Sequence, residues 1–344
     1  VLADVSPVAH LPILNPGADP TLVESPMTNS PTGTITDGQF ANLANGIRLH
    51  YASVGVRGRP LLVFLHGFPE FCGAWDEVLP GFGADFFAVA PDLRGYNLSS
   101  QPRAASAYRL RTVVQDLVEL ISDLGYQRAS FVGHGWGGSL GWLLASVHPE
   151  RVERLVVLNA PHPNALARKL SCNPAQQAAS RHINWLRSSG MEDALSASDF
   201  ARLKDWLRAM PRAGHAWVTP ARLQRYVAVW RRGLTGALNY YRASPLHPAA
   251  ESSEATSALR LNAEQFVVSV PTLVLWGMRD ESLVPEVLDG LEQWVPNLRV
   301  ERFAAATHWI AHEEPARVVE RILMFLSPSP AAGAPPAPQA LSPS

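Results

Sequence analysis

The chain has 344 residues, 47% hydrophobic and 17% charged, which is enough apolar sequence to bury a sizeable core and excludes a disordered polymer. Formal net charge is −1, and Lys169 and Lys204 are the only lysines among 29 basic residues. That balance excludes a concentrated cationic surface for nucleic acid or anionic lipid and points to a small apolar or amphiphilic partner.

In chain order, residues 1–38 carry Pro, Ser, Thr and Asn without sustained periodicity and read as an N-terminal arm, with HLPIL the one stretch in it suited to packing. Strands are expected at 47–54, 61–65, 86–90, 130–133 and 155–158, and again at 272–276 and 299–303. Helices are expected at 108–125, 137–147 and 315–325; the first places Val113, Val114, Leu117, Leu120 and Ile121 on one face. Short apolar runs alternating with amphipathic helices predict an α/β fold, a mostly parallel sheet with helices on both faces. The apolar runs are strand-sized, far short of the roughly 20 residues a membrane span needs, so no transmembrane segment is expected.

The alternation breaks at 161–267, where helical segments containing Arg and Trp follow one another without a clear strand. This block reads as a helical cap inserted into a core made of 39–160 and 268–327, over the carboxyl ends of the strands where open α/β sheets hold ligands. Trp185, Trp206, Trp217 and Trp230 within it imply an apolar ligand. The tail 328–344, rich in Pro, Ala and Ser, is expected to be disordered. Cys72 and Cys172 have neither a disulfide framework nor metal spacing, so a reduced, cytoplasmic setting is the expectation. The chain begins at Val1 and not Met, which leaves a secreted form open. Oligomeric state is not legible.

Residues 132–138 read VGHGWGG, a strand turning sharply into a helix between small residues, with Gly135 at the tip. Such a turn presents a nucleophile, and Gly135 has no side chain to present. Five further segments accompany it in order: HGFPE at 66–70, PDLRGYNLSS at 91–100, NYYR at 239–242, WGMRD at 276–280 and THW at 307–309. Jointly they resemble the epoxide hydrolase and haloalkane dehalogenase branch of the α/β-hydrolase superfamily, from about residue 40 to 325.

The resemblance implies a division of labour. In that branch an Asp at the elbow attacks the substrate carbon, and a His–Asp pair then activates water against the ester. Here His308 matches the base and Asp280 the carboxylate that orients it, while Gly135 holds the nucleophile position. Phe68 and Trp136 match the residues whose backbone amides form the oxyanion hole. Tyr241 matches the cap tyrosine that protonates the epoxide oxygen, and His182 falls where the branch has a second cap tyrosine. His66 and His134 match histidines that pack beneath the site. No cofactor is implied. His308 and His312 are four apart, a spacing that binds metal on a helix, but no further ligand is near in sequence and no metal is expected. Asn97 occupies a turn position that favours positive φ.

Three readings stay open at this level. The chain is an epoxide hydrolase-like enzyme in which His308 and Asp280 activate water or a substrate group directly, with Tyr241 and His182 as proton donors; or a nucleophile-less cyclase, lyase or isomerase; or a catalytically inactive knock-out, engineered or natural, of an epoxide hydrolase, or a binding-only pseudo-enzyme.

Overall fold

The computed structural model describes residues 33–209, 217–248 and 266–327. HLPIL, most of the arm and the tail 328–344 lie outside the described residues.

Eight strands form one sheet: β1 (Thr36–Asn42), β2 (Arg48–Val54), β3 (Leu61–Leu65), β4 (Phe87–Pro91), β5 (Ala129–His134), β6 (Val152–Leu158), β7 (Thr272–Gly277) and β8 (Leu298–Phe303). Their spatial order is β1-β2-β4-β3-β5-β6-β7-β8. β1 and β2 pair antiparallel, as do β2 and β4, and the remaining pairs are parallel. The central strands are near-continuous apolar runs, such as LLVFL in β3 and TLVLWG in β7, because helices cover both of their faces.

The helices are α1 (Leu110–Asp123), α2 (Trp136–Val147), α3 (Pro163–Cys172), α4 (Pro174–Ala179), α5 (Arg181–Arg187), α6 (Met191–Ala209), α7 (Pro220–Trp230), α8 (Thr235–Ala243), α9 (Ile310–Glu313) and α10 (Pro315–Leu326). Helix α1 buries the five apolar residues expected of it. Helices α3 to α8 follow β6 and precede β7, where the sequence puts its insertion.

Two differences from expectation have physical causes. β1 has no counterpart among the expected strands and begins inside the residues assigned to the arm; it is a polar edge strand, so TDGQFAN lacks an apolar alternation. β6 starts at Val152, three residues early, because the exposed Glu153 and half-buried Arg154 break its apolar run at the start.

Strand order changes direction between β3 and β5, since β4 lies on one side of β3 and β5 on the other. Loops leaving the carboxyl ends of these two strands therefore face a crevice. Phe68 follows β3 and Gly135 follows β5.

Candidate active site

The turn after β5 is built on close contact. A Cβ on Gly137 would stand 2.1 Å from the Leu65 carbonyl oxygen, so α2 could not approach β3 with any larger residue there. Gly135 has φ +52° and ψ −118°, a conformation that L side chains rarely adopt. The space above it is open: a Cβ would meet Gly67 Cα at 3.4 Å and His308 Nε2 at 3.8 Å.

His308 lies in the loop after β8 and Asp280 in the loop after β7. His308 Nδ1 and Asp280 Oδ2 are 2.7 Å apart. The same oxygen accepts from Asn159 Nδ2 at 2.8 Å, while Asp280 Oδ1 accepts from the amides of Ser282 and Leu283. Asp280 is thus both the turn aspartate its position permits and the partner of His308, with one oxygen for each. Burial alone would raise its pKa, but the charge and hydrogen bond of His308 hold it below the usual carboxylate range. Burial alone would lower His308, yet the charge and hydrogen bond of Asp280 raise it above the ordinary imidazole value. The His308 loop is fixed by Glu313, whose carboxylate accepts from the Thr307 amide and hydroxyl at 2.6 and 2.8 Å. Asn159, outside the motifs read from sequence, also accepts from the Gly277 amide at 2.8 Å and so ties Asp280 to the end of β7.

Over these groups lies a cavity of about 680 Å³, lined by Phe68, Gly135, Trp136, His182, Tyr241 and His308 among others. All six residues singled out from sequence for its floor and roof therefore share one space, with Asp280 behind His308. The Tyr241 ring meets Trp136 and Phe68 edge-on, at centroid distances of 5.1 and 5.3 Å. Burial pushes its phenol well above the usual value. The Phe68 amide has no acceptor among the described residues, and Trp136 opens α2, where a helix leaves its first amides unpaired. His182, on the short helix α5, is half-buried against Trp206 and not at the surface; its Nδ1 is 2.9 Å from the Ala179 carbonyl oxygen. Burial lowers its pKa.

Of the four cap tryptophans taken as a sign of an apolar ligand, Trp206 alone lines the cavity. Trp185 is 38% exposed, Trp217 stacks on His312 at 4.1 Å, and Trp230 donates to the Pro69 carbonyl at 2.7 Å. Tryptophan content did not distinguish cap packing from cavity wall, because both bury large rings.

Glu70 is a group the sequence reading left without a role. Its carboxylate, 1% exposed, accepts from Tyr226 of α7 at 2.8 Å, is 2.7 Å from His312 Nε2 and 3.3 Å from His134 Nδ1. His134 Nε2 in turn reaches the His308 carbonyl oxygen at 2.9 Å. Burial would raise Glu70, but the charge of His312 and hydrogen bonds from both histidines hold it well below its ordinary value. The signal was an acid inside the apolar run FPEFC. His66 also lies beneath the site, donating from Nδ1 to the Gly67 carbonyl and accepting the Leu93 amide at Nε2. His312 is turned toward Glu70 and away from any shared ligand set with His308. Asn97 has φ +44°, as its turn requires. Among the described residues, Asp37, His50 and Cys72 bring metal-ligating atoms within 4.8 Å of one another, outside the residues lining the cavity. His50 is held there between Asp37 at 3.1 Å and Asp92 at 2.6 Å. No described helix is long and apolar enough to cross a membrane.

Comparison with known proteins extends the likeness over most of the chain. A model described as the alpha/beta hydrolase fold matches residues 60–315. The chain is 35% identical over 292 residues to the AB hydrolase superfamily protein YfhM of Bacillus subtilis, covering 84% of this chain and 97% of that protein. It is 32% identical over 290 residues to Epoxide hydrolase 4 of Homo sapiens, covering 82% and 76% respectively. The crystal structure of a Bacillus megaterium epoxide hydrolase in complex with an inhibitor superposes with a TM-score of 0.77 at 35% identity, covering 84% of this chain and 99% of that one.

Proposed function

Since the chain belongs to the alpha/beta hydrolase fold family and is epoxide hydrolase-like over most of its length, we propose that it hydrolyses an epoxide by activating water directly, without an enzyme ester. In this reading Gly135 stands where the attacking carboxylate would be, and a water molecule takes the space above it. His308 Nε2 accepts a proton from that water; the oxygen attacks an epoxide carbon; the ring C–O bond breaks; and Tyr241 gives its proton to the leaving oxygen. The imidazolium then returns its proton to the phenolate, and the product is a vicinal diol. The buried phenol of Tyr241 holds its proton until a much more basic alkoxide develops beside it. The amides of Phe68 and Trp136 orient the water or the developing alkoxide.

One observation carries the reading: His308, with Nδ1 committed to Asp280, has its other nitrogen 3.8 Å from the position of a Gly135 Cβ, where a water oxygen fits between base and cavity. The test is turnover of a panel of epoxides by the wild type and by Gly135→Asp, with single turnover in ¹⁸O-labelled water. The wild type is expected to place solvent oxygen in the diol in the first turnover. Gly135→Asp has room for its side chain but adopts a backbone conformation costing on the order of 1–3 kcal/mol, and is expected to deliver protein oxygen first. An idle wild type beside an active Gly135→Asp would overturn the proposal in favour of a pocket that binds without turnover.

A further inference from the structure

The two cap residues that face the reaction space are not chemically equivalent. Tyr241 offers a hydroxyl donor. His182 is tied by Nδ1 to a carbonyl oxygen, which only accepts, so Nδ1 carries the hydrogen. In the neutral ring Nε2 then has a lone pair and no proton. No partner for Nε2 exists among the described residues, and the ring lines the cavity. Burial keeps the ring in this neutral form by lowering its pKa. A lone pair there repels an epoxide oxygen, which is itself only an acceptor, so His182 in this state is not the second proton donor expected from its position. It calls for a donor instead.

The rest of the cavity agrees. No Asp or Glu is among the described residues that line it, and His308 Nε2, the other imidazole lone pair in the lining, is committed to the attacking water in the reading above. Its donors include the Tyr241 hydroxyl, the Phe68 and Trp136 amides and, at the exposed edge, Arg109 and Arg111, and the lining serines, such as Ser139 and Ser282, carry hydroxyls that both donate and accept. An epoxide oxygen satisfies Tyr241 and leaves His182 Nε2 unpaired.

We propose that His182 is a specificity residue whose Nε2 accepts a hydrogen bond from a hydroxyl carried by the substrate, so that the site selects epoxy alcohols over epoxides with no hydroxyl. The epoxide in this statement rests on the function proposed above; the acceptor role of His182 does not. An analogue lacking the hydroxyl leaves an acceptor unpaired in the half-buried cavity wall, which costs more than a missing contact alone.

The test is a binding measurement that needs no turnover. 2-Phenoxyethanol and its methyl ether share the ring and the ether oxygen and differ only in the hydroxyl. Quenching of tryptophan fluorescence, with Trp136, Trp206 and Trp309 in the cavity wall, gives Kd for each. The wild type is expected to bind the alcohol about tenfold tighter than the ether. That preference should vanish in His182→Phe, survive in His182→Gln, whose amide oxygen can accept, and survive in His308→Ala. Equal binding of the two ligands by the wild type overturns the proposal, as does a preference that persists in His182→Phe or disappears in His308→Ala. Should His182→Phe fail to fold, ¹⁵N imidazole shifts of the wild type decide. An unprotonated Nε2 that moves with the alcohol and not with the ether supports the assignment, and a protonated Nε2 sinks it. A wild type that shows the preference yet hydrolyses no epoxide refutes the proposed reaction and leaves the acceptor role standing.

Discussion

At the scale of single residues the site depends on how one carboxylate is shared. Asp280 Oδ1 caps its own turn and Oδ2 holds His308, so Asp280→Asn keeps an acceptor for the turn and spoils the pair. Asparagine can present an N–H to His308 Nδ1, which favours the tautomer with its proton on Nε2, the wrong one for a base; in a comparable triad that loss is about 10⁴-fold. Turnover in Asp280→Asn is expected to fall by about 10³-fold or more. The pH dependence gives an independent check. In the wild type His308 is raised above its ordinary value, so its base form, and with it the rate, should grow as pH rises through a point above about 6.5. In Asp280→Asn burial acts without the opposing charge, and that point should move down. A pH–rate profile with the same midpoint in both proteins would argue that His308 is not the titrating base.

At the scale of elements, β1 is pinned to the sheet by a charged group beneath a polar strand. His50 of β2 is buried and lies between Asp37 of β1 and Asp92, which follows β4. Burial alone would lower its pKa, but the two carboxylates raise it to about 9. Because the folded-state value lies above the unfolded one, the stabilisation is fully present below about 6.5 and is lost as pH rises through about 9. Urea midpoints measured between pH 6 and 10 should therefore fall over that interval. Asp37→Asn should flatten the fall, since it removes one of the two charges that hold the proton; an unchanged pH dependence would place the linkage elsewhere. The same elements show why β1 was missed. Its attachment is by register with β2 and by this ion pair, and neither leaves an apolar alternation in the sequence.

At the scale of the whole molecule, Glu70 joins three parts that the sequence presents separately: the loop after β3, helix α7 through Tyr226, and helix α9 through His312. Glu70→Ala leaves those groups unpaired in the interior and is expected to lower stability by about 3–5 kcal/mol in urea unfolding. Tyr226→Phe, which removes a single hydrogen bond, should cost nearer 1 kcal/mol. Equal small effects would mean that the network does not couple α7 and α9 to the loop after β3. The sequence by itself determined the α/β alternation, because periodicity is a local property of a chain, and its glycine spacing and short ordered motifs brought Gly135, Asp280, His308 and Tyr241 forward as candidates. It did not reveal Asn159 behind Asp280 or Glu70 beneath the site. Those depend on which atoms become neighbours after folding: Asn159 and Asp280 are 121 positions apart, and Glu70 and His312 are 242. Hydrogen-bond partners at such separations are chosen by the crossing of strands and the packing of distant helices and loops, and so only the tertiary structure decided them.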